Sequence, residues 1–324
     1  MAGPARACQI YGVATSLEPI AAHDDGERQA NGFPVSGSPE LRGLALMESR
    51  CRPSEPFRRV SERPCFRLLL AGSYRELSRN QSALYEPVTL VYEPTGLDYR
   101  AEAGENGAHF FTIELAEPWL NRVCGIDTLV ADLHGGDLLW LALHVYREYT
   151  SLPNPFAAIA IEGLVMQILA TLARIRWRAR QGSPPPWLQR VLARLHSGLS
   201  EDDSLKDLAA LAHVHPVHLS RGFRRFTGTT FGEYVQRLRV HAACRELLHA
   251  DATLAAIAIN AGFADQSHLT NVFRHITGFT PAVLRDLLPS FADPGSALHP
   301  RAIRFHPIPG PLHPTSPMLT FGSG

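Results

Sequence analysis

The sequence predicts an α+β chain: a small β-barrel with two helices, then an all-α unit built from two tandem helix-turn-helix motifs. Three observations predict it. The stretch His218-Leu-Ser-Arg-Gly-Phe-Arg-Arg-Phe-Thr-Gly-Thr-Thr230 returns fifty residues later as His268-Leu-Thr-Asn-Val-Phe-Arg-His-Ile-Thr-Gly-Phe-Thr280, with seven of thirteen positions identical. Short β-branched or aromatic runs bounded by turn residues fill the region from about Pro56 to Glu114. Between the two patterns lies Gln181-Gly-Ser-Pro-Pro-Pro186, where three consecutive prolines cannot continue a helix.

At 324 residues the chain has room for two domains, each with its own core. A hydrophobic content of 45% and a charged fraction of 19% describe a globular protein. The net charge of zero excludes a global basic field. Five scattered cysteines (Cys8, Cys51, Cys65, Cys124, Cys244) form no Cys-x-x-Cys pair, which argues against a disulfide framework and for a reducing cytoplasm. No basic start followed by an apolar run marks a signal peptide. The apolar stretch Phe156 to Ile175 is interrupted by Glu162 and Gln167, so a buried helix is expected there and no membrane span.

Residues 1–50 are rich in Ala, Gly, Pro and Ser and are expected to lack a fixed fold. Strands are expected at Phe66-Arg-Leu-Leu-Leu70, Val88-Thr-Leu-Val-Tyr92 and Phe110-Phe-Thr-Ile-Glu114, separated by Gly72, Glu93-Pro94-Thr95-Gly96 and Gly104 to Gly107. Regular short strands with such turns favour a barrel or sandwich over a parallel sheet. Helices follow at Asp137 to Tyr149 and Asn154 to Trp177; the second is apolar over much of its circumference and needs cover from its own domain or a partner subunit. The resulting domains are 51–178, a linker at 179–187, a helical unit at 188–289, and a Pro- and His-rich tail at 290–324 without a fixed fold.

Within the helical unit the first motif reads as helix 204–213 and a second helix 216–226. The repeat reads as 253–261 and 266–276, with one long helix from Phe231 to His249 between them. Leu219, Phe223 and Phe226, and likewise Leu269, Phe273 and Ile276, fall on one face and anchor each second helix. Val217, Ser220, Arg221 and Arg224 are left to face outward in the first, and Gln266, Ser267, Thr270, Asn271 and Arg274 in the second. Arg can pair bidentately with guanine and Gln or Asn with adenine, while Ser and Thr suit bases or phosphates. Two such helices on one frame can enter successive major grooves about 34 Å apart. With eleven Arg/Lys against nine Asp/Glu over residues 187–288 the unit is only mildly basic, and a bundle with merely packed repeats would keep the same Leu and Phe positions. His213, His215 and His218 have no carboxylate or Cys beside them at ligand spacing, so no metal is expected. Cys244 falls in the apolar pattern and reads as a buried thiol.

The string Ile257-Ala-x-x-Ala-Gly262-Phe263-x-Asp265-x-Ser267-His268-Leu269-x-x-x-Phe273-Arg274-x-x-x-Gly278-x-Thr280-Pro281 resembles the signature of the AraC/XylS transcriptional regulators. The similarity covers residues 187–288, about a third of the chain. It implies base-facing roles for Val217, Ser220 and Arg221, and for Gln266, Ser267, Thr270 and Asn271. His213 and His215 stand where the family usually has Gly and Ser, and Asn271 where Arg is common. His tolerates a left-handed turn better than most residues, so these departures bear on the operator and leave the fold intact.

Tyr85-Glu-Pro-Val-Thr-Leu-Val-Tyr-Glu-Pro-Thr-Gly-Leu-Asp-Tyr99 resembles the turn-and-strand element of small cupin barrels, which often precede this DNA-binding unit. Tyr99 stands where cupins often place His, and no His-x-His with a following Glu precedes it; a metal-dependent enzyme would need such ligands. No enzymatic activity, metal or cofactor is therefore expected. Arg67, Tyr85, Tyr92, Tyr99 and His109 are the candidates to line a ligand pocket, each equally readable as core. The expected partners are double-stranded DNA and a second copy of the chain, with a small-molecule effector and a contact to RNA polymerase left open. A homodimer would bring two more recognition helices to repeated half-sites. The rival readings are a metal-dependent cupin enzyme with an appended helical module, and a protein-interaction module that binds no DNA.

Overall fold

The computed structural model describes residues 40–41, 43–77, 82–120, 131–132, 136–151, 156–180, 182, 184–198, 204–248 and 252–288. The expectations for residues 1–39 and 290–324 lie outside them.

The first part of the chain is one antiparallel sheet with helices on one face. Its elements are β1 (Glu40–Leu41), β2 (Leu44–Cys51), β3 (Pro56–Val60), β4 (Cys65–Leu77), β5 (Ser82–Tyr85), β6 (Thr89–Glu93), β7 (Asp98–Leu115), α1 (Glu117–Leu120), β8 (Ala131–Asp132), α2 (Asp137–Thr150) and α3 (Ala157–Arg180). Strand order is β1-β2-β7-β4-β6-β8, with β3 on β7 and β5 on β4. The eighteen-residue β7 runs the length of the sheet, pairing β3 with its first part and β2 with its second. Its register with β4 shifts between Leu69 and Ala71 and again between Gly72 and Tyr74. At Gly72, φ is +75° and a Cβ would meet the Gly107 carbonyl oxygen, so only glycine fits this bend. The antiparallel sheet is present, and among the described residues no pairing joins β1 to β8 to close it into a barrel.

β2 corrects the expectation that residues 1–50 lack structure. Leu44 and Leu46 alternate onto the buried face, and all eight residues of β2 pair with β7. The alternation is too short to stand out from the polar residues around it; its partner residues run from Leu115, opposite Leu44, to Ala108, opposite Cys51, far along the chain.

Alternation along the strands sorts side chains between two cores. Leu44, Leu46, Phe66, Leu68, Leu90, Phe111 and Ile113 face α2 and α3, while Phe57, Leu69, Tyr74, Tyr85 and Phe110 form a second core on the other face. On α3 one stripe (Ile161, Val165, Ile168, Leu172) is fully buried. The opposite stripe is not: Ile159 is 71% exposed and Trp177 66%. By length and composition α3 is apolar enough to cross a membrane, and 28% of that segment is buried. The cover expected for this helix is supplied by its own chain on one side.

Beyond α3, which runs to Arg180, come α4 (Pro186–His196), α5 (Leu205–Leu211), α6 (Pro216–Thr227), α7 (Phe231–Leu247), α8 (Leu254–Asn260), α9 (Gln266–Thr277) and α10 (Pro281–Leu287). Pro186 takes the first helical position of α4, where its missing N–H costs nothing. The first three of these helices enclose their own core around Leu188, Leu192, Leu208, Leu219 and Phe223. The core of the second unit, with Val240, Ile257, Leu269, Phe273 and Phe279, is continuous with the core under α2 and α3.

Candidate nucleic-acid interface

Local chemistry builds each helix-turn-helix. In the first unit Ser204 caps α5, its hydroxyl accepting from Asp207 N at 3.2 Å. α5 ends on a left-handed residue, His213 at φ 56°, with Val214 N donating to Ala209 O at 3.0 Å. This is the 6→1 bond that terminates helices at a left-handed residue, usually glycine. His215 then caps α6, its Nδ1 accepting from Val217 N at 3.3 Å. Both histidines therefore perform turn and cap roles that Gly and Ser commonly take.

The second unit repeats the arrangement. Thr253 caps α8, Gly262 is left-handed at φ +80°, and Phe263 N donates to Ala258 O at 2.8 Å. Asp265 caps α9 through His268 N at 2.7 Å, while the His268 ring meets Phe263 edge-on at 5.4 Å. Gly228 and Gly278 close α6 and α9 in the left-handed region. Between the units a reciprocal Thr230–Glu233 capping box starts α7.

These caps fix which face of α6 and α9 is free. Leu219, Phe223, Leu269 and Phe273 are buried, and Phe226 and Ile276 are half-buried beside them. Val217, Ser220, Arg221 and Arg224 are exposed on α6, as are Gln266, Ser267, Asn271 and Arg274 on α9. Thr270 is half-buried, its hydroxyl donating to Gln266 O at 2.8 Å, which leaves the oxygen lone pairs and methyl for a contact.

In the sheet the five ligand candidates do not converge. Strand alternation puts Arg67, Tyr85 and Tyr99 on one face and Tyr92 and His109 on the other. Tyr85 stacks on Tyr74 at 4.5 Å, Tyr92 packs on Phe66, and His109 bonds Glu48 at 2.7 Å. Arg67 and Tyr99 meet at Glu93, a residue that sequence reasoning had placed only in a turn. Glu93 accepts from Arg67 Nη1 at 3.1 Å, Tyr99 Oη at 2.7 Å, Arg59 Nε at 3.1 Å and Ser61 Oγ at 2.9 Å. Burial disfavours its charge, but Arg67 and Arg59, with the Tyr99 and Ser61 hydroxyls, outweigh that and hold the carboxyl at about 2. Arg67 also lies 3.9 Å over the Phe110 ring. The nearby Cys65 thiol is pushed up to about 12 by burial and the Glu93 charge. The only signal for this network was a carboxylate ending an otherwise apolar strand.

The sheet domain and the second unit meet at the end of α9. His144 on α2 donates from Nε2 to Thr277 O at 2.8 Å and stacks on Phe279 at 4.1 Å. Arg147 lies 5.2 Å over the same ring, and Arg237 on α7 pairs with Asp137 at 2.9 Å. Burial pushes the His144 imidazole down, only partly offset by the Thr277 carbonyl.

Residues 208–286 match a family described as "Helix-turn-helix domain". Among curated relatives, the bifunctional transcriptional activator/DNA repair enzyme AdaA of Bacillus subtilis (strain 168) is 33% identical over 101 residues, 31% of this chain and 48% of that protein. A putative AraC-like transcription regulator of Streptomyces lividans is 28% identical over 190 residues, 55% of this chain and 62% of that protein. Residues 208–286 carry a helix-turn-helix domain of the AraC type. The match spans 48%, 36% and 40% of the first three curated relatives, at most about half of their length. Among solved structures, ToxT from Vibrio cholerae aligns over 76% of this chain and 100% of its own, with 10% identity and a TM-score of 0.34.

Proposed function

We propose that this chain is a sequence-specific DNA-binding transcriptional regulator of the cytoplasm, with no catalytic activity of its own. The observation that carries the reading is the pair of outward stripes, Val217/Ser220/Arg221/Arg224 and Gln266/Ser267/Thr270/Asn271/Arg274, on equivalent faces of two capped helices. Base-edge readout requires side chains of this kind, exposed on a rigid helix. The test is selection of random duplexes on the full chain, followed by footprinting; enrichment of two short boxes about one helical turn apart is the expected result. Binding that is weak, salt-sensitive and without enrichment would favour an interaction module instead. Arg221→Ala should relax preference at one base position at a cost of about 1–3 kcal/mol. An equal loss on every duplex would reassign Arg221 to the backbone.

The sheet domain is the regulatory half in this reading, a cupin-like sensor for a small molecule or a partner. Its contact with the second unit through His144 and Phe279 supports a mechanical link between sensing and DNA. Because Arg67, Glu93 and Tyr99 already satisfy one another, an effector on that face would have to exchange into an existing network.

The second copy of the chain docks on α3. Ile159, Gly163, Met166 and Trp177 all lie exposed on one side, and nothing stands within 4 Å of a Cβ built at Gly163, so another helix can approach closely there. Ile159→Glu should raise the dimer dissociation constant by about tenfold or more, close to 1.4 kcal/mol, in sedimentation equilibrium. Unchanged association would remove α3 from the interface.

A further inference from the structure

On the flank of α6 lies a concave notch of about 420 Å³ that the outward stripe does not account for. Pro185 and Trp187, at the start of α4, make one wall; His218, Arg221 and Arg225 make the other, with Gly222 as the floor. The notch exists because Gly222 has no side chain: a Cβ there would come 2.6 Å from Trp187 Cη2. The indole settles over the glycine and leans on the His218 ring at 5.2 Å. No carboxylate lines the notch. Among the described residues Arg221 and Arg225 make no ion pair or hydrogen bond, and both line the notch. Arg225 only rests beside the Phe226 ring, at 5.5 Å.

The second unit does not repeat the residues that shape this notch. Val272 takes the place of Gly222 in the repeat, and His275 that of Arg225. The buried pattern Leu188, Val191, Leu192, Leu195 on α4 matches Val240, Ala243, Cys244, Leu247 on α7, which puts Arg239 where Trp187 stands. The feature is therefore particular to the first unit and does not follow from the motif.

We propose that this notch is a backbone clamp: it seats the sugar-phosphate chain of one DNA strand beside the major groove that α6 enters. Arg225 contacts a phosphate and the Trp187 indole packs on the neighbouring deoxyribose. The inference rests on the DNA-binding reading above. The chemistry fits a phosphodiester in three ways. A guanidinium matches two phosphate oxygens. An indole offers an apolar face with one N–H donor. And the notch adjoins Arg221, so a strand seated in it runs alongside the base-reading stripe. Phosphate contacts fix register without reading sequence. The first unit would thus anchor the protein on DNA, with both stripes then testing bases.

The experiment uses the full chain, a selected-site duplex and a scrambled duplex of equal length, followed by fluorescence anisotropy at several salt concentrations. Arg225→Ala should weaken both duplexes by the same factor, about three- to tenfold, and lower the log–log salt slope by about 0.9. Arg225→Lys should recover the slope. Neutral methylphosphonate linkages, introduced one at a time, should reveal one position at which wild type and Arg225→Ala bind equally. Comparison with Trp187→Phe should show that the Trp187 emission changes when either duplex binds. Equal affinity of wild type and Arg225→Ala on all duplexes would overturn the clamp, as would a loss confined to the selected site. A wild-type chain that binds neither duplex would overturn the regulator reading and the clamp with it.

Discussion

Glu93→Ala should destabilise the sheet domain by about 3–5 kcal/mol, the cost of leaving a buried charge without its partner. Arg67 is only 6% exposed and Glu93 not at all. Removing the carboxylate leaves Arg67 in the interior without its ion pair, takes the nearer of two carboxylate partners from Arg59 and leaves the Tyr99 and Ser61 hydroxyls without their acceptor. Urea denaturation of the full chain, followed by near-ultraviolet circular dichroism of the tyrosines, checks the shift. A change below 1 kcal/mol would mean that water reaches the site and replaces the carboxylate.

The same group sets an acid limit. Its folded value, about 2, lies below the usual carboxylate value of about 4.3. A depressed carboxyl contributes stability that is complete above the unfolded value and is lost as pH falls through the folded one. Glu93→Gln should accordingly flatten the stability curve between about pH 4.3 and 2, while wild type loses stability steeply across it.

Phe279→Ala should cost about 3–5 kcal/mol, in the range for a buried Phe truncated in a core. Phe279 is 1% exposed, stacked under His144 and covered by Arg147, in the core shared by the sheet domain and the second helix-turn-helix. The loss should be local. Hydrogen exchange should show faster opening of the α9 amides, with those of α6 unchanged, because α4, α5 and α6 keep a separate core. Equal loss of protection in both recognition helices would show that the two units unfold together.

The two helix-turn-helix motifs and the helix between them were legible to within a residue or two, whereas α4 and α10 were not placed. The second helix of the first motif, expected at 216–226, is Pro216–Thr227, and its repeat, expected at 266–276, is Gln266–Thr277. Caps and turns explain this accuracy. His213, Gly262, Gly228 and Gly278 end helices by bonds spanning six residues or fewer, and Ser204, Thr230, Thr253 and Asp265 start them across three. The sheet was less legible. The strands around Phe66, Val88 and Phe110 were placed, but the turns expected at Gly72 and at Gly104 to Gly107 lie inside β4 and β7, β2, β3 and β5 were missed, and the ligand candidates were assigned without knowledge of strand parity. A one-residue change of register moves every side chain to the other face, and nothing local to Tyr92 or Tyr99 records which face is which.

By itself, then, the sequence determined the repeated helix-turn-helix, its caps, its anchoring residues and the polar stripes left outside. All of these depend on contacts within one motif. Only the tertiary structure decided that Arg67, Tyr99, Arg59 and Ser61 converge on Glu93, and that the second unit shares a core with the sheet domain through Phe279. It also decided that Trp187 fills the space above Gly222. Each of these joins residues some 6 to 135 positions apart. Such contacts are selected by the free energy of burying the whole molecule, which no single segment of the chain encodes.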